Sequence, residues 1–520
     1  MKRRTRRFFG LGEPLRHPDH RRPVTRREFI GQGFMSGAAT VSGVSLFSLF
    51  ADPRQAYATL APDIAALKSS PCNIQVGAGM IPFIAFDLAG GGNIAGSNVL
   101  VGGPGGQLDF LSTAGYSRLG LPGNMVPNGG SGPGSFIDQS LGLAFHSDSA
   151  YLRGITQRVA GSTAANVNGA VIPAISQNDT GNNPHNPMYG IESAGARGDL
   201  LVLIGSQATV SGGNSLAPMY MIDPTSPPTK VSQSSDVTGL VSTGQLVSGA
   251  LNQGDAVNVL ESIERISKNK LDTQSALISG QDAVNAQCAF VKAADLVDRY
   301  GNAAATLNPD LDPDIVGGGT SIFTSAEYQS DPEFRKTAAV MKMVINGYAG
   351  AGTIEMGGYD YHTGDRATGE MRDLHVGQCI GACLEYAARK GQPVMIYVFS
   401  DGSVVSSGMI DSSVGGRGKG VWTSDNQSTA ASFFLVYNPT GRPQTIQNQI
   451  GSYTSDGNVN TTASPGANAV NLLAEMVVLN YLALHNRAGS FASLTWAGGV
   501  GTGLGAASAY DSLIALAPIR

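Results

Sequence analysis

The stretch DPEFRKTAAVMKMVINGYAGAGTIEMGGYDYHTGDRATGEMRDLHVGQCIGACLEYAARKGQPVMIYVFSDG, residues 331–402, decides the fold. Ala338, Met341 and Val344 recur at helical spacing, which predicts a helix over Asp331 to Asn346. A strand is expected at Thr353 to Met356, followed by the loop Gly357-Gly358-Tyr359-Asp360-Tyr361-His362-Thr363. Leu374, Cys379, Cys383 and Leu384 form the inward stripe of a second helix, Met371 to Arg389, closed by Lys390-Gly391. The apolar run Val394 to Phe399 then reads as a buried strand leading to Ser400-Asp401-Gly402. Helix, strand, helix, strand in this order indicates an α/β fold: a mainly parallel sheet covered by helices on both faces.

Working outward, Met80-Ile81-Pro82-Phe83-Ile84-Ala85-Phe86 reads as another buried strand, ending at Asp87 and the turn Gly90-Gly91-Gly92-Asn93. The glycine spacing matches neither a dinucleotide fingerprint nor a phosphate-binding loop. Leu200 to Ile204 and Phe433 to Val436 are further strand candidates, and an amphipathic helix is expected from Ala469 to His485. Between about residues 236 and 305 the pattern turns helical, with Val257, Leu260, Ile263 and Ile266 on one stripe. Glu264 and Lys268 stand at the spacing of a favourable ion pair. This stretch reads as a helical insertion whose apolar stripe serves packing.

The amino-terminal segment carries an address. Arg26-Arg27, the weakly apolar stretch Phe34 to Phe50 and Ala56-Tyr57-Ala58 are the basic head, middle and small-residue end of a twin-arginine signal peptide, residues 1–58. The apolar stretch is shorter than the roughly 20 residues of a bilayer-spanning helix and is diluted by Gly37, Ser42, Gly43 and Ser45. Cleavage is therefore expected, leaving residues 59–520 as the mature domain with no stable membrane span. The expected partner is the twin-arginine export machinery, and the expected location is periplasmic or extracellular. The segment holds 11 of the 34 Lys+Arg and 4 of the 39 Asp+Glu, so the mature chain has 23 basic and 35 acidic residues, a net charge of −12. A nucleic-acid partner is not expected from so acidic a chain.

Four cysteines occur. Cys379 and Cys383, four apart on a helix, have Cβ atoms about 5–6 Å apart, too far for a disulfide, which needs about 3.5–4.5 Å. Cys72 and Cys288 are left able to bridge in an oxidising compartment. No C-x-x-C motif supports a structural zinc or haem site.

Acids cluster at the ends of the expected strands: Asp87, Asp360 with His362, and Asp401. Asp-x-His in a turn places two metal ligands close together, and neighbouring carboxylates complete a site that activates water or an alcohol. The competing reading is that such acids cap helices and close turns. His185, in the turn-rich loop Asn178 to His185, faces a ligand or is a surface side chain.

DPEFRKTAAVMKMVINGYAGAGTIEMGGYDYH, residues 331–362, resembles the domain-of-unknown-function 1501 family of exported proteins, in which a similar helix leads to a strand and a Gly-Phe-Asp-Thr-His loop. Residues 83–93, the His185 region and 394–439 match it in order. That family is similar to the alkaline phosphatase and sulfatase superfamily, which implies an alkaline-phosphatase-like sheet with one divalent metal ion at strand ends. The ligands so implied are Asp360, His362 and Asp401, with Asp87 or Asp425, and His185 and Thr180 are the catalytic candidates. The chain departs from the pattern in several places. Ser400-Asp401-Gly402 replaces Ser-Glu-Phe, Ser424-Asp425-Asn426 replaces Thr-Asp-His, Pro184 replaces a serine, and Asn93 stands where Asp is usual. Two functions are therefore expected in competition: a metal-dependent hydrolase of ester or sulfate-type substrates, or a catalytically silent protein that binds or organises the envelope.

Overall fold

Phe83–Leu88 (β1), Val167–Pro173 (β2), Leu201–Gly205 (β3), Thr229–Lys230 (β4), Ala349–Met356 (β5), Val394–Ser400 (β6) and Ala431–Tyr437 (β9) build one seven-stranded sheet in the order β2-β9-β6-β1-β5-β3-β4. Five strands, from β6 to β4, run parallel to one another, while β9 is antiparallel to both β6 and β2. Val404–Asp411 (β7) and Lys419–Asp425 (β8) form a separate antiparallel ribbon between β6 and β9. The computed structural model describes residues 60–74, 79–130, 132–176, 183–240, 253–273, 280–302, 306–364, 366–494, 496 and 503–520. The signal segment 1–58 and Thr180 lie outside them.

The sheet is mainly parallel and carries helices on both faces, as the alternation of elements predicts. On one face Phe83, Ala85, Tyr397 and Phe399 pack with Met188–Ser193 and Val470–Leu484, two helices of the same apolar cluster. The second of these is buried on nearly every side, with Val470 and all of Leu473 to Leu484 inside. Its expected amphipathic character is corrected accordingly: a helix apolar all round belongs in the core. The other face is covered by Pro332–Ile345, whose Val340 and Val344 lie against Gly352 of β5, and by Arg366–Lys390. Asp331 starts the first of these helices by accepting from the amides of Glu333 (2.8 Å) and Phe334 (3.3 Å), with Pro332 in the first turn. Gly391, at φ 62°, ends the second, as Lys390-Gly391 indicates.

Two boundaries differ from expectation for physical reasons. The strand expected at Thr353 begins at Ala349, because Gly350 and Gly352 read as breakers but are needed for close packing. A Cβ at Gly350 would fall 2.0 Å from the carbonyl oxygen of Ala196. The helix expected from Met371 begins at Arg366, because its first turns turn charged groups inward instead of apolar ones.

The chain divides into two compact units. The sheet unit spans residues 75–240 and 303–520. The other comprises residues through Ile74 together with 241–302, and its described elements are Pro62–Ser69, Gln253–Thr273 and Gly280–Tyr300. Within it Lys68 Nζ meets Asp295 Oδ1 at 2.6 Å, Arg265 grips Asp63 with two bonds of 2.8 Å, and Cys72 is disulfide-bonded to Cys288. The expected Glu264–Lys268 pair is not the hydrogen-bonded one. Glu264 is turned inward to accept from Gln287 at 2.8 Å, and Lys268 bonds Asp272 at 2.7 Å. Cys379 and Cys383 are free and buried.

Candidate metal centre

The carboxyl ends of β1, β2, β3, β5 and β6 open on one edge of the sheet, where ligands bind in open α/β sheets. After β5 the loop 357–363 alternates. Tyr359 and Tyr361 are buried, while Asp360 is exposed and His362 half-buried. The Tyr359 hydroxyl donates to the Arg372 carbonyl at 2.9 Å, and the Tyr361 hydroxyl donates to Asp373 Oδ1 at 3.0 Å. With the tyrosines anchored inward, Asp360 and His362 point the other way. The glycine turn after β1 passes so close that a Cβ at Gly90 would lie 2.6 Å from the Asp360 amide nitrogen, and Gly90 itself has φ 118°. No L side chain suits that position.

Asp425, the last residue of β8, arrives from the ribbon, where it pairs with Val404. His362 Nδ1 lies 2.5 Å from Asp360 Oδ1 and 2.9 Å from Asp425 Oδ1. Neither contact is aligned as a hydrogen bond. One ligand atom from each residue lies within 4.8 Å of the others, so the three converge on a point instead of pairing off. One imidazole nitrogen and two carboxylate oxygens suit zinc, manganese or iron(II). Three protein ligands at an exposed position leave room for water or substrate. The residues present therefore fit a divalent cation.

Asp87 and Asp401, expected among the ligands, lie instead in a neighbouring buried pocket. Ser215 donates to both oxygens of Asp87, from its amide (2.7 Å) and its hydroxyl (2.9 Å). Asp401 accepts from the Gly90 amide at 2.7 Å and from Asn214 Nδ2 at 2.8 Å. Burial, reinforced by the nearby Asp401 charge and opposed by the Ser215 bonds, pushes the Asp87 carboxyl up to about 7. Each of these four oxygens thus has a neutral donor where a cation would otherwise be needed. The pair is a hydrogen-bonded fastening for the segment through Ser215.

His185 is neither a surface side chain nor turned to the triad. It is buried, stacked on Phe399 with ring centroids 5.6 Å apart, and its Nε2 is 3.5 Å from Ser176 Oγ. Its Nδ1 is buried without a partner, and burial pulls its pKa down to about 3, so the ring is neutral. The Ser176 hydroxyl donates to the Asp401 carbonyl oxygen, as does Asn183 Nδ2 at 2.7 Å. Asn93, at the position where Asp is usual, is buried within the turn, its Nδ2 donating to Ser97 Oγ. Asn426 caps a short turn by accepting from the Ser428 amide at 2.9 Å.

Ser176, Asn214 and Ser215 escape sequence reasoning, because small polar residues in loops are everywhere in this chain. The string Gly212-Gly213-Asn214-Ser215 marks a turn and nothing more.

No protein-family profile and no curated protein sequence matches the chain. Among solved structures, the alkaline phosphatase of the Antarctic bacterium TAB5 is similar at 11% identity, covering 78% of this chain and 99% of its own, with a TM-score of 0.22. A mutant of that enzyme with Mg bound in its M3 site is similar at 10% identity, with the same coverage and TM-score. The strand order and the site above rest on this chain's own geometry.

Proposed function

We propose that this protein is an exported, divergent member of the domain-of-unknown-function 1501 family, similar to alkaline phosphatases and sulfatases, that hydrolyses ester or sulfate-type substrates with one divalent cation. The observation that carries the proposal is the convergence of Asp360, His362 and Asp425 at the carboxyl edge of the sheet. A divalent cation held there supplies a Lewis acid and lowers the pKa of bound water. His362 binds through Nδ1, and the two carboxylates balance the ion's double charge. The site is exposed enough to admit a substrate head group. His185 contributes packing on Phe399, not proton transfer, because its ring is buried and stacked.

A second reading, a silent protein that binds or organises the envelope, is favoured by the Asp87–Asp401 pocket. There neutral donors stand against acids that the family resemblance would assign to a metal. Titration of metal-free protein with zinc(II) or manganese(II) is expected to give one ion per chain. The double substitution Asp360→Asn/His362→Ala should weaken binding more than 100-fold, about 3 kcal/mol. Unchanged binding in the variant removes the site. Turnover of aryl phosphate or sulfate esters, lost in His362→Ala, selects the hydrolase, and binding without turnover on such a panel selects the silent reading.

Export is supported by Arg26-Arg27 with its apolar stretch and by the Cys72–Cys288 disulfide, which persists in oxidising compartments. Among the described residues no helix is long and apolar enough to cross a membrane. Replacing Arg26 and Arg27 by Lys is expected to leave the full-length chain inside the cell, as fractionation and the mass of the chain would reveal. Undiminished export of a cleaved product would remove the twin-arginine assignment.

A further inference from the structure

The two segments that bring ligands to the cation site come from different parts of the chain, yet both rest on one glycine. A Cβ at Gly369, in the helix Arg366–Lys390, would lie 3.1 Å from Tyr361 Cε2 and 3.2 Å from Trp422 Nε1. Tyr361 stands between Asp360 and His362, and Trp422 lies three residues before Asp425 on β8. A side chain there would make both rings give way by a few tenths of an ångström.

Each ring is also tied down. The Tyr361 hydroxyl accepts from the Asn93 amide at 2.7 Å and donates to Asp373 Oδ1, whose Oδ2 accepts from Asn98 Nδ2 at 2.7 Å. Trp422 lies under the Arg366 guanidinium, 4.6 Å from its ring centre. The Trp422 carbonyl accepts from the Gly364 amide at 2.7 Å, joining the ligand loop directly to the ligand strand. Asp360 and Asp425 are themselves exposed, Asp425 at the end of a paired strand. A cation site must hold its ligands to within about 0.5 Å, and that precision comes from buried supports.

We infer that Tyr361 and Trp422, seated together on Gly369, are positioning residues that set Asp360, His362 and Asp425 in register for one cation, with the Tyr361–Asp373 hydrogen bond as the decisive tie. The inference rests on the cation reading of that site. The test compares wild type, Tyr361→Phe, Gly369→Ala and a control, Tyr481→Phe. The control removes an equally buried hydroxyl that bonds the Ile81 carbonyl at the opposite end of β1. Each metal-free protein is titrated with zinc(II) and manganese(II), and amide exchange is followed in residues 359–364.

Tyr361→Phe is expected to bind about 10–100-fold more weakly, the usual effect of losing a supporting partner of a ligand, and to exchange at least tenfold faster in the loop. Gly369→Ala should do the same by pushing both rings outward. Tyr481→Phe should lower the melting temperature while leaving affinity and loop exchange at wild-type values. Wild-type affinity in Tyr361→Phe overturns the inference, as does an equal loss of affinity in the control. If wild type binds neither ion, the cation reading fails by itself. Loop exchange then decides alone whether Tyr361 holds the segment, and unchanged exchange overturns that too.

Discussion

Glu370→Gln is expected to destabilise the sheet unit by about 3–5 kcal/mol, the cost of removing one partner from a buried ion network. Glu370 is 5% exposed, and its Oε1 accepts from Arg366 Nη2 at 2.7 Å and from Lys419 Nζ at 2.8 Å. Its Oε2 accepts from Arg153 Nη2 at 2.9 Å. Arg366 and Lys419 are 1% and 0% exposed, and without the carboxylate the two buried cations would be left to Asp148, which lies 3.3 Å from Lys419 Nζ. Domains are stable by only about 5–15 kcal/mol, which makes this loss decisive. Urea unfolding at pH 7.5 measures it, and a loss below about 1 kcal/mol would show that the network is far more solvated than its burial implies.

The same network sets a pH dependence. Burial pushes the Glu370 carboxyl up, but Arg366, Lys419 and Arg153 outweigh it and hold the pKa at about 2. A carboxylate depressed in the folded state contributes stability that is complete above its unfolded value of 4.5 and lost as pH falls toward 2. A drop from 4.5 to about 2 corresponds to about 3 kcal/mol. Asp87 and Asp373, both pushed up to about 7 chiefly by burial, act oppositely: their contribution is complete below 3.8 and lost as pH rises through 7. The wild-type protein should therefore lose stability on acidification below pH 4.5, and Glu370→Gln should flatten that limb and, because the Glu370 charge helps to raise the Asp373 carboxyl, also ease the decline between pH 4 and 7.

Removing the Cys72–Cys288 disulfide, by Cys72→Ser with Cys288→Ser, is expected to destabilise the helical unit by about 2–5 kcal/mol. The bridged residues are 216 apart, for which chain entropy alone predicts about 5 kcal/mol. That value is an upper bound, because residues 75–240 within the loop fold as part of the sheet unit and already restrict it. Among the described residues the unit is also held by buried Ile64, Val257, Val291 and Ala294, by the ion pairs of Lys68 and Arg265, and by the hydrogen bond from Gln287 to Glu264. Hydrogen exchange should accelerate in Gln253–Thr273 and Gly280–Tyr300 and stay unchanged in β1 and β6. Unaltered exchange in the two helices would show that the disulfide is incidental to them.

Local signals were enough where one segment states its own structure. The runs at β1, β3 and β6 are apolar throughout because strands buried on both faces need no alternation. Asp331-Pro332-Glu333 writes a helix start, and Lys390-Gly391 writes an end. Val167 to Pro173 carries no such signal because Asn168 and Gly169 interrupt it, although Asn168 is satisfied by the Pro443 carbonyl and Thr445. The antiparallel course of β9 has no local mark either. It follows from the β7–β8 ribbon, which brings the chain back to the same edge of the sheet before β9 begins.

For the site, the sequence by itself determined the chemical types: acids at strand ends and one Asp-x-His turn. Only the tertiary structure decided which acids meet. Asp401 and Asp425 look alike as residues beside strand ends. Yet Asp401 turns into a pocket that Asn214 and the Gly90 amide fill with donors, while Asp425 stays at the rim beside His362. The difference arises from strand order and from a loop more than 180 residues distant in sequence. Periodicity is a property of neighbours along the chain, whereas the convergence of ligands is a property of neighbours in space.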